Sequence, residues 1–436
     1  VEVSRGKSIL AAVGDNMVSQ PGVAGDFLSA LGQAGVNIDA IAQGSSERNI
    51  SVVIDGADSS RALRAVHSAF YLSKQTIGVG LIGAGLIGQE FLKQLQAELA
   101  QLRSSFGIDV RVRGIMNSKR MLLDGKDERG VPEIDWLSFA HHENSKSADP
   151  NFFINHLNSS HLPHRVIIDA TAGDSFIHSY PEWLKSGFHV ITPNKKANTQ
   201  SLDFYNSIRT AEKAGKKRFL YSTNVGAGLP ILQTLRELCQ TGDRMIRIEG
   251  VLSGTLSYIF NTFDGKIPFS EIVKEARKLG FTEPDPRDDL SGTDVARKLV
   301  ILAREAGQKI ELKDIEVESL VPESLRDLSP TEYLDRLSEG DPEMSSELAR
   351  AHSRSEVLRY VGVIEESGRA SVKLASFPRS HAFSGLSGAD NIVSFHTTRY
   401  RTRPLVIQGP GAGPEVTAAG VFADLLRLAS SLGAPR

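Results

Sequence analysis

The chain has 436 residues, which at roughly 150 per domain implies two or three domains. Its 50 Lys and Arg against 52 Asp and Glu leave a net charge of −2, which excludes a global electrostatic grip on nucleic acid. A single cysteine, Cys239, excludes an internal disulfide framework and a Cys-cluster metal site, and no apolar run reaches the ~18 residues of a membrane helix.

Residues 1–75 read as a small α+β unit. Ser8–Val13 is a strand candidate, followed by a turn at Gly14-Asp15-Asn16. Pro21–Gly35 places Val23, Phe27, Leu28 and Leu31 at helical spacing between a proline start and a glycine stop. Val36–Ala42 and Asn49–Ile54 read as strands joined by the polar stretch Gly44–Arg48, and Ser59–Phe70 as a second helix. That is β-α-β-β-α, one strand short of a closed unit. The N-terminus carries no secretory signal pattern, and with the lone cysteine it points to a cytoplasmic chain without a membrane partner. It begins at Val1 rather than Met, and so reads as a piece of something longer.

Residues 76–224 alternate strand and helix, the pattern of a parallel, doubly wound sheet. Strands are expected at Thr76–Ile82, Val110–Met116, Val166–Ala170, His189–Thr192 and Arg218–Tyr221. Helices are expected at Gln89–Arg103, around Tyr180–Ser186, and at Asp203–Gly215. The polar stretch Asp124–Pro163 reads as surface loops and short helices, with His161 and His164 in solvated loop.

From 225 to about 405 the alternation loosens into a separate α+β domain. Its helices are expected at Ile231–Cys239, Ser270–Leu279 and Asp294–Ala306, its strands at Ile246–Leu252, Val357–Ile364, Ser371–Ser376 and Ile392–Thr398. Glu339–Pro342 suggests an exposed insertion. After Leu405–Gln408, a glycine loop leads into an amphipathic helix, Val416–Ser431, expected to return to the first sheet. The domains are thus 1–72, then 76–224 with about 405–436, then 225–404.

The strongest local signal is Gly83-Ala84-Gly85-Leu86-Ile87-Gly88, a G-x-G-x-x-G between a strand and a helix. Its glycines permit a tight turn and close approach of a pyrophosphate to a helix N-terminus, the dinucleotide-binding arrangement of a Rossmann-type sheet. Gly83, Gly85, Leu86, Ile87 and Gly88 are therefore cofactor-binding candidates. An NAD site usually ends its second strand with an acid for the ribose 2′-hydroxyl. Here Asn117-Ser118-Lys119-Arg120 follows, which suits a 2′-phosphate and favours NADP.

The block Glu283–Lys298 crowds carboxylates into a proline-stiffened loop that opens a helix. Asp294 and Lys298 are spaced i, i+4 and share a face, so in a cleft they can hold a substrate group and move a proton. Thr192-Pro193-Asn194-Lys195-Lys196 and Asp169–Gly173 each end a sheet strand, where such folds bind ligands. Asn224–Pro230 reads as a hinge whose carbonyls could alternatively hold a monovalent cation. Cys239 reads as a buried small side chain in a helix.

Together with Ser253–Ile259, these motifs make the chain from about residue 76 onward resemble homoserine dehydrogenase. Residues 1–72 resemble an ACT-type regulatory domain of aspartokinase, through Pro21-Gly22-Val23, Asn37-Ile38 and Gln43–Glu47. The order resembles a bifunctional aspartokinase–homoserine dehydrogenase without its kinase segment. The fold implied is a Rossmann-type α/β domain plus an α+β catalytic and dimerisation domain, preceded by an incomplete ACT-like unit.

The resemblance implies NADP(H)-linked interconversion of L-aspartate 4-semialdehyde and L-homoserine, on the route to threonine and methionine. It implies Lys298, Lys195 and Asp294 as catalytic, and Glu283, Asp289, Gly254 and Thr255 as substrate-binding. It adds Thr171, Lys195 and Gly413 to Asn117, Ser118 and Lys119 at the cofactor, and a sodium ion on carbonyls near Ser222, Val225, Ala227 and Leu229. A dimer or tetramer and L-threonine as effector are implied as well. Two positions depart from the pattern: Phe281 stands where Tyr is usual, and Ser222 where some relatives carry Glu.

Two other readings compete. A semialdehyde dehydrogenase needs a nucleophilic thiol, and Cys239 has no histidine near it in sequence. An amino-acid-sensing fragment on an inactive dehydrogenase scaffold is expected to have lost groups such as Lys298 or Glu283, which are present.

Overall fold

The computed structural model describes residues 4–71, 75–125, 138–158 and 162–434. The N-terminal unit has strands Lys7–Val13, Ala40–Gln43 and Asn49–Asp55, with Asn49–Asp55 in the middle of an antiparallel sheet. Helices Val23–Gln33 and Ser59–Tyr71 cover one face, burying Phe27, Leu31, Ile50, Val52 and Ile54. The expected strand over 36–42 starts later, at Ala40, because Val36 and Ile38 are spent packing under the helix. The other face of the sheet leaves Ile9 and Val13 exposed.

The second unit is a seven-stranded sheet. Across it run Phe219–Leu220, Phe188–Ile191, His164–Asp169, Thr76–Ile82, Asp109–Met116, Arg120–Leu123 and Lys146–Ser147. The first five are mutually parallel, and the last two join through antiparallel pairings. Thr76–Ile82 is apolar without alternation because helices cover both its faces, and every residue of it is buried. The chain enters at this central strand, winds outward one way, then crosses back to His164–Asp169 and winds the other way. That reversal opens a crevice beyond the carboxyl ends of Thr76–Ile82 and His164–Asp169.

The third unit is a six-stranded sheet in the order Glu316–Val317, Ala370–Pro378, Glu356–Glu365, Met245–Val251, Asp390–Thr397, Leu405–Pro410. Helices Ile231–Gln240, Gly254–Thr262, Phe269–Lys278 and Thr293–Glu305 contribute to the core on one face. That core is continuous with the side of the first sheet carrying Phe188, Val190 and Phe219, so the two large units share one apolar interior.

Several expectations need correction. The return to the first sheet begins after 405: strand Leu405–Pro410 pairs with Asp390–Thr397 in the six-stranded sheet, and only helix Pro414–Ser431 packs back on Leu86–Phe106. Phe91 meets Phe422 edge-on there at 6.3 Å. The segment expected as an exposed insertion at 339–342 opens helix Asp341–Ser353, and the Asp341 carboxylate accepts from Ser270 N at 2.8 Å and Ser270 Oγ at 2.7 Å. The stretch 124–163 includes a short helix, Pro150–Asn158, as expected, but His164, expected in loop, opens a strand; His161 lies outside the described residues. Cys239 is half-buried rather than fully buried.

Candidate functional site

Parallel register brings Ile82, Asp169 and Ile191 to neighbouring carboxyl ends, so the turns that follow them stand side by side. Gly83 has φ +93°, and a Cβ there would sit 2.7 Å from the Ala170 carbonyl carbon. A Cβ on Gly88 would sit 2.2 Å from the Gly83 oxygen, so that position sets how close the helix comes to the turn. Gly85 is different: a Cβ there meets nothing within 4 Å. It caps helix Leu86–Phe106 without any side-chain hydrogen bond, so first-turn N–H groups face open space with the positive end of the helix dipole. A pyrophosphate fits this cradle, and a dinucleotide cofactor fits the site.

Beyond the second strand, the Asn117 side chain is spent on its own turn, accepting from Lys119 N at 2.8 Å and Arg120 N at 2.7 Å. Arg120 turns away, donating to the Ser145 carbonyl at 2.5 Å. Ser118 and Lys119 remain exposed, which leaves Lys119 as the cation of that turn open to a ligand.

A polar network missed by the sequence reading braces the next two turns. Buried Asp169 accepts from Thr171 N at 2.9 Å, Thr171 Oγ1 at 2.7 Å and the Tyr180 hydroxyl at 2.5 Å. Burial raises its pKa, opposed by those hydrogen bonds, and burial together with the Asp169 charge raises that of Tyr180. Thr192 donates to the Asp169 carbonyl at 2.7 Å and accepts from Asn194 N at 3.0 Å, while Asn194 Nδ2 reaches the Gly173 carbonyl at 2.6 Å. The Thr171 hydroxyl is therefore committed within the protein. The only sequence signal for this network is a polar residue closing each of two apolar strands.

Lys195 follows, and its Nζ lies 3.0 Å from Asp294 Oδ1. Lys298, one turn along helix Thr293–Glu305, lies 2.8 Å from Asp294 Oδ2 and donates to the Leu252 carbonyl at 2.6 Å. The Asp294 side chain is 38% exposed and that of Lys298 only 9%. Burial lowers the Lys298 pKa, the Asp294 charge opposes this, and the Lys195 charge adds to it. The two ammonium groups hold Asp294 well below the usual carboxylate range, against the cost of its burial. Asn391, also missed from sequence, donates from Nδ2 to the same Leu252 carbonyl at 3.1 Å, and among the described residues its buried Oδ1 has no partner.

The carboxylate loop arches beside this trio. Asp289 Oδ2 accepts from Glu283 N at 2.9 Å, and Oδ1 faces Thr255 Oγ1 at 2.9 Å, whose proton is shared with the Phe281 carbonyl at 2.6 Å. Burial raises the Asp289 pKa, and the Glu283 and Asp294 charges add to it. Glu283 is exposed, and among the described residues its carboxylate has no protein partner. Phe281 stacks on Tyr258 with ring centroids 4.4 Å apart. Gly254 opens helix Gly254–Thr262, and a Cβ there would lie 3.6 Å from Ala412 Cβ, beside Gly413, which caps the returning helix with φ +117°.

The turn at 222–229 is buried for most of its length and clamped, not a free hinge. Asp424 of the returning helix accepts from Ser222 N at 2.9 Å and Ser222 Oγ at 2.7 Å, and a Cβ on Gly228 would sit 2.6 Å from the Val416 carbonyl. Of the carbonyls considered for a cation, that of Leu229 already accepts from Ile231 N at 2.8 Å. Asp424 is neutralised by Arg427 at 2.6 Å, so the turn offers a cation no unpaired anionic donor. Among the described residues no group of three His, Cys, Asp or Glu side chains could hold a metal ion.

Comparison with known proteins agrees with this geometry. A homoserine dehydrogenase profile matches residues 230–426, its NAD binding domain profile residues 83–222, and an ACT domain profile residues 10–70. Homoserine dehydrogenase of Schizosaccharomyces pombe is 39% identical, the alignment covering 83% of this chain and 98% of that protein. A chloroplastic bifunctional aspartokinase/homoserine dehydrogenase of Zea mays is 52% identical over 100% of this chain, which spans 47% of the maize protein. The chain thus spans about half the length of the bifunctional relatives it matches. A crystal structure of a Candida auris protein of unknown function superposes with a TM-score of 0.75 at 37% identity, covering 83% of this chain and 99% of that one. With a nucleotide cradle, a lysine–carboxylate trio and relatives of this kind, the chain belongs to the homoserine dehydrogenase family.

Proposed function

We propose that this chain interconverts L-homoserine and L-aspartate 4-semialdehyde with NADP(H). The observation that carries the reading is the buried Lys298, paired with Asp294, which also binds Lys195, beside a dinucleotide cradle. When bound, the nicotinamide cofactor supplies the hydride acceptor or donor. The Glu283 carboxylate, without a partner among the described residues, would hold the substrate ammonium, with Asp289 and Thr255 fixing the loop that presents it. Lys298 would take the hydroxyl proton at Nζ as the alcohol is oxidised and return it in reduction. Its lowered pKa makes the neutral amine accessible, while the Leu252 carbonyl and Asp294 orient it. Lys195, bridging to Asp294, would lie at the reacting carbon and the cofactor.

NADP in preference to NAD rests on Lys119 and on the missing acid at the second strand end. A sodium ion on the carbonyls of 222–229 is supported by the carbonyl-rich turn. L-Threonine as effector and assembly into a dimer or tetramer are supported by the ACT match and by Ile9 and Val13 left bare on its sheet. A cytoplasmic setting is supported by the lone cysteine, and some relatives are chloroplastic.

The test is absorbance at 340 nm with L-homoserine and NADP⁺, alongside Lys298→Ala. NADPH formation that the substitution abolishes supports the reading. A folded protein that binds NADPH without turnover would favour the scaffold alternative. Calorimetry with L-threonine on this chain and on one starting at Thr76 tests the effector, and equal binding would sink it.

A further inference from the structure

We propose that the seam between the two large domains holds a second binding site, for a small oxyanion, coupled to the loop that carries Lys195. A cavity of about 510 Å³ lies there, bounded by the edge strand Phe219–Leu220 and helices Leu202–Gly215, Ile231–Gln240, Thr293–Glu305 and Pro414–Ser431. That volume suits a small ligand, and the cavity is separate from the Lys298 trio, none of whose residues line it.

Its wall is a ladder of guanidinium and aromatic groups. Arg209 lies 4.6 Å from the ring centroids of both Tyr205 and Tyr221, and Arg236 covers Tyr221 at 5.5 Å. Most carboxylate oxygens of this wall are already paired. Glu305 takes the Tyr221 hydroxyl at 2.5 Å on one oxygen and Arg236 Nε at 2.8 Å on the other. Glu212 accepts from Phe219 N at 3.1 Å and faces Arg209 at 3.5 Å, and Glu237 accepts from Gln233 at 2.8 Å.

Donors remain. Each guanidinium carries five N–H groups. Among the described residues the exposed Arg218 guanidinium has no protein partner, its backbone N–H going to His189 Nδ1 at 3.0 Å, and Arg427 commits only Nη1, to Asp424 and Ser222. A lining whose carboxylates are mostly paired and whose guanidiniums keep spare donors selects a ligand rich in acceptors and negative charge, a carboxylate or phosphate group.

The route to Lys195 is short. Arg209 Nη2 donates to Asn198 Oδ1 at 3.1 Å, and Asn198 Nδ2 to Asn224 Oδ1 at 2.8 Å; Asn224 in turn donates to the Thr192 carbonyl at 3.0 Å. Asn198 sits in helix Lys196–Thr199, directly after Lys195. A ligand that shifts Arg209 therefore acts on the backbone that aims Lys195 at Asp294.

Calorimetric titration of the whole chain, saturated with NADPH so that the cofactor cradle is filled, with inorganic phosphate and separately with succinate at constant ionic strength, tests this. At least one probe is expected to bind, about tenfold more weakly in Arg218→Gln, the loss of one charge-assisted contact. Lys266→Gln, an exposed lysine outside the cavity, is expected to leave binding unchanged. Binding of phosphate alone or succinate alone supports the site and names its headgroup. No binding of either, or equal affinity in wild type and Arg218→Gln, overturns it. A bound probe that changes neither kcat nor KM for homoserine overturns the coupling.

Discussion

Lys195 and Lys298 come from different domains and meet on the two oxygens of one carboxylate, at 3.0 and 2.8 Å from Asp294. Two ammonium groups this close repel each other, and Asp294 between them is what makes the arrangement tolerable. The shared carboxylate also joins the nucleotide-binding half to the carboxylate-loop half at the point where chemistry is proposed.

That geometry fixes the sign of a pH effect. Lys298 has a pKa below the free value of 10.5, burial being the main cause, and Asp294 is the chief influence raising it again. Oxidation needs the neutral amine, so kcat/KM for homoserine is expected to rise with pH along a limb centred below 10.5. In Asp294→Asn the raising influence is gone, so the limb moves to lower pH while kcat falls about 10²-fold. A limb that stays put in a pH–rate profile of the variant would show that another group titrates.

The glycines of the cradle separate stability from binding. Gly85→Ala puts its methyl into open space and is expected to leave the melting temperature nearly unchanged while weakening NADP(H) binding. Gly88→Ala drives a methyl to 2.2 Å from the Gly83 oxygen, and is expected to lower the melting temperature as well. Fluorescence titration with NADPH beside thermal melts distinguishes them.

Lys119 is predicted to carry the 2′-phosphate preference, because Asn117 caps its own turn and Arg120 is held by Ser145. Lys119→Ala is expected to raise the KM for NADP⁺ about tenfold with little change for NAD⁺. Equal changes for both cofactors in steady-state assays would remove Lys119 from that role.

Asp424 pins the C-terminal helix to the turn after the edge strand. Asp424→Ala leaves Ser222 N and Oγ without acceptors in a buried place, a cost of about 1–3 kcal/mol. Chemical denaturation is expected to read that loss, and Ser222→Ala, which keeps the backbone bond to Asp424, to read less of it.

The sequence by itself determined the order of units, most helices to within a few residues, the nucleotide cradle, and the i, i+4 pair Asp294–Lys298. These are local: helical period, a strand before a glycine turn, and spacing along one helix depend on a few consecutive residues. It misread 339–342 because charge and Gly-Pro punctuation resemble a loop, whereas Asp341 is occupied by Ser270, 71 positions away. Only the tertiary structure decided that Lys195 and Lys298 share Asp294, that Lys298 is depressed rather than raised, and that Asp169, Tyr180 and Asn391 brace the site. Burial and through-space charge set those outcomes, and both arise from residues distant in the chain. Spacing along one segment does not contain them.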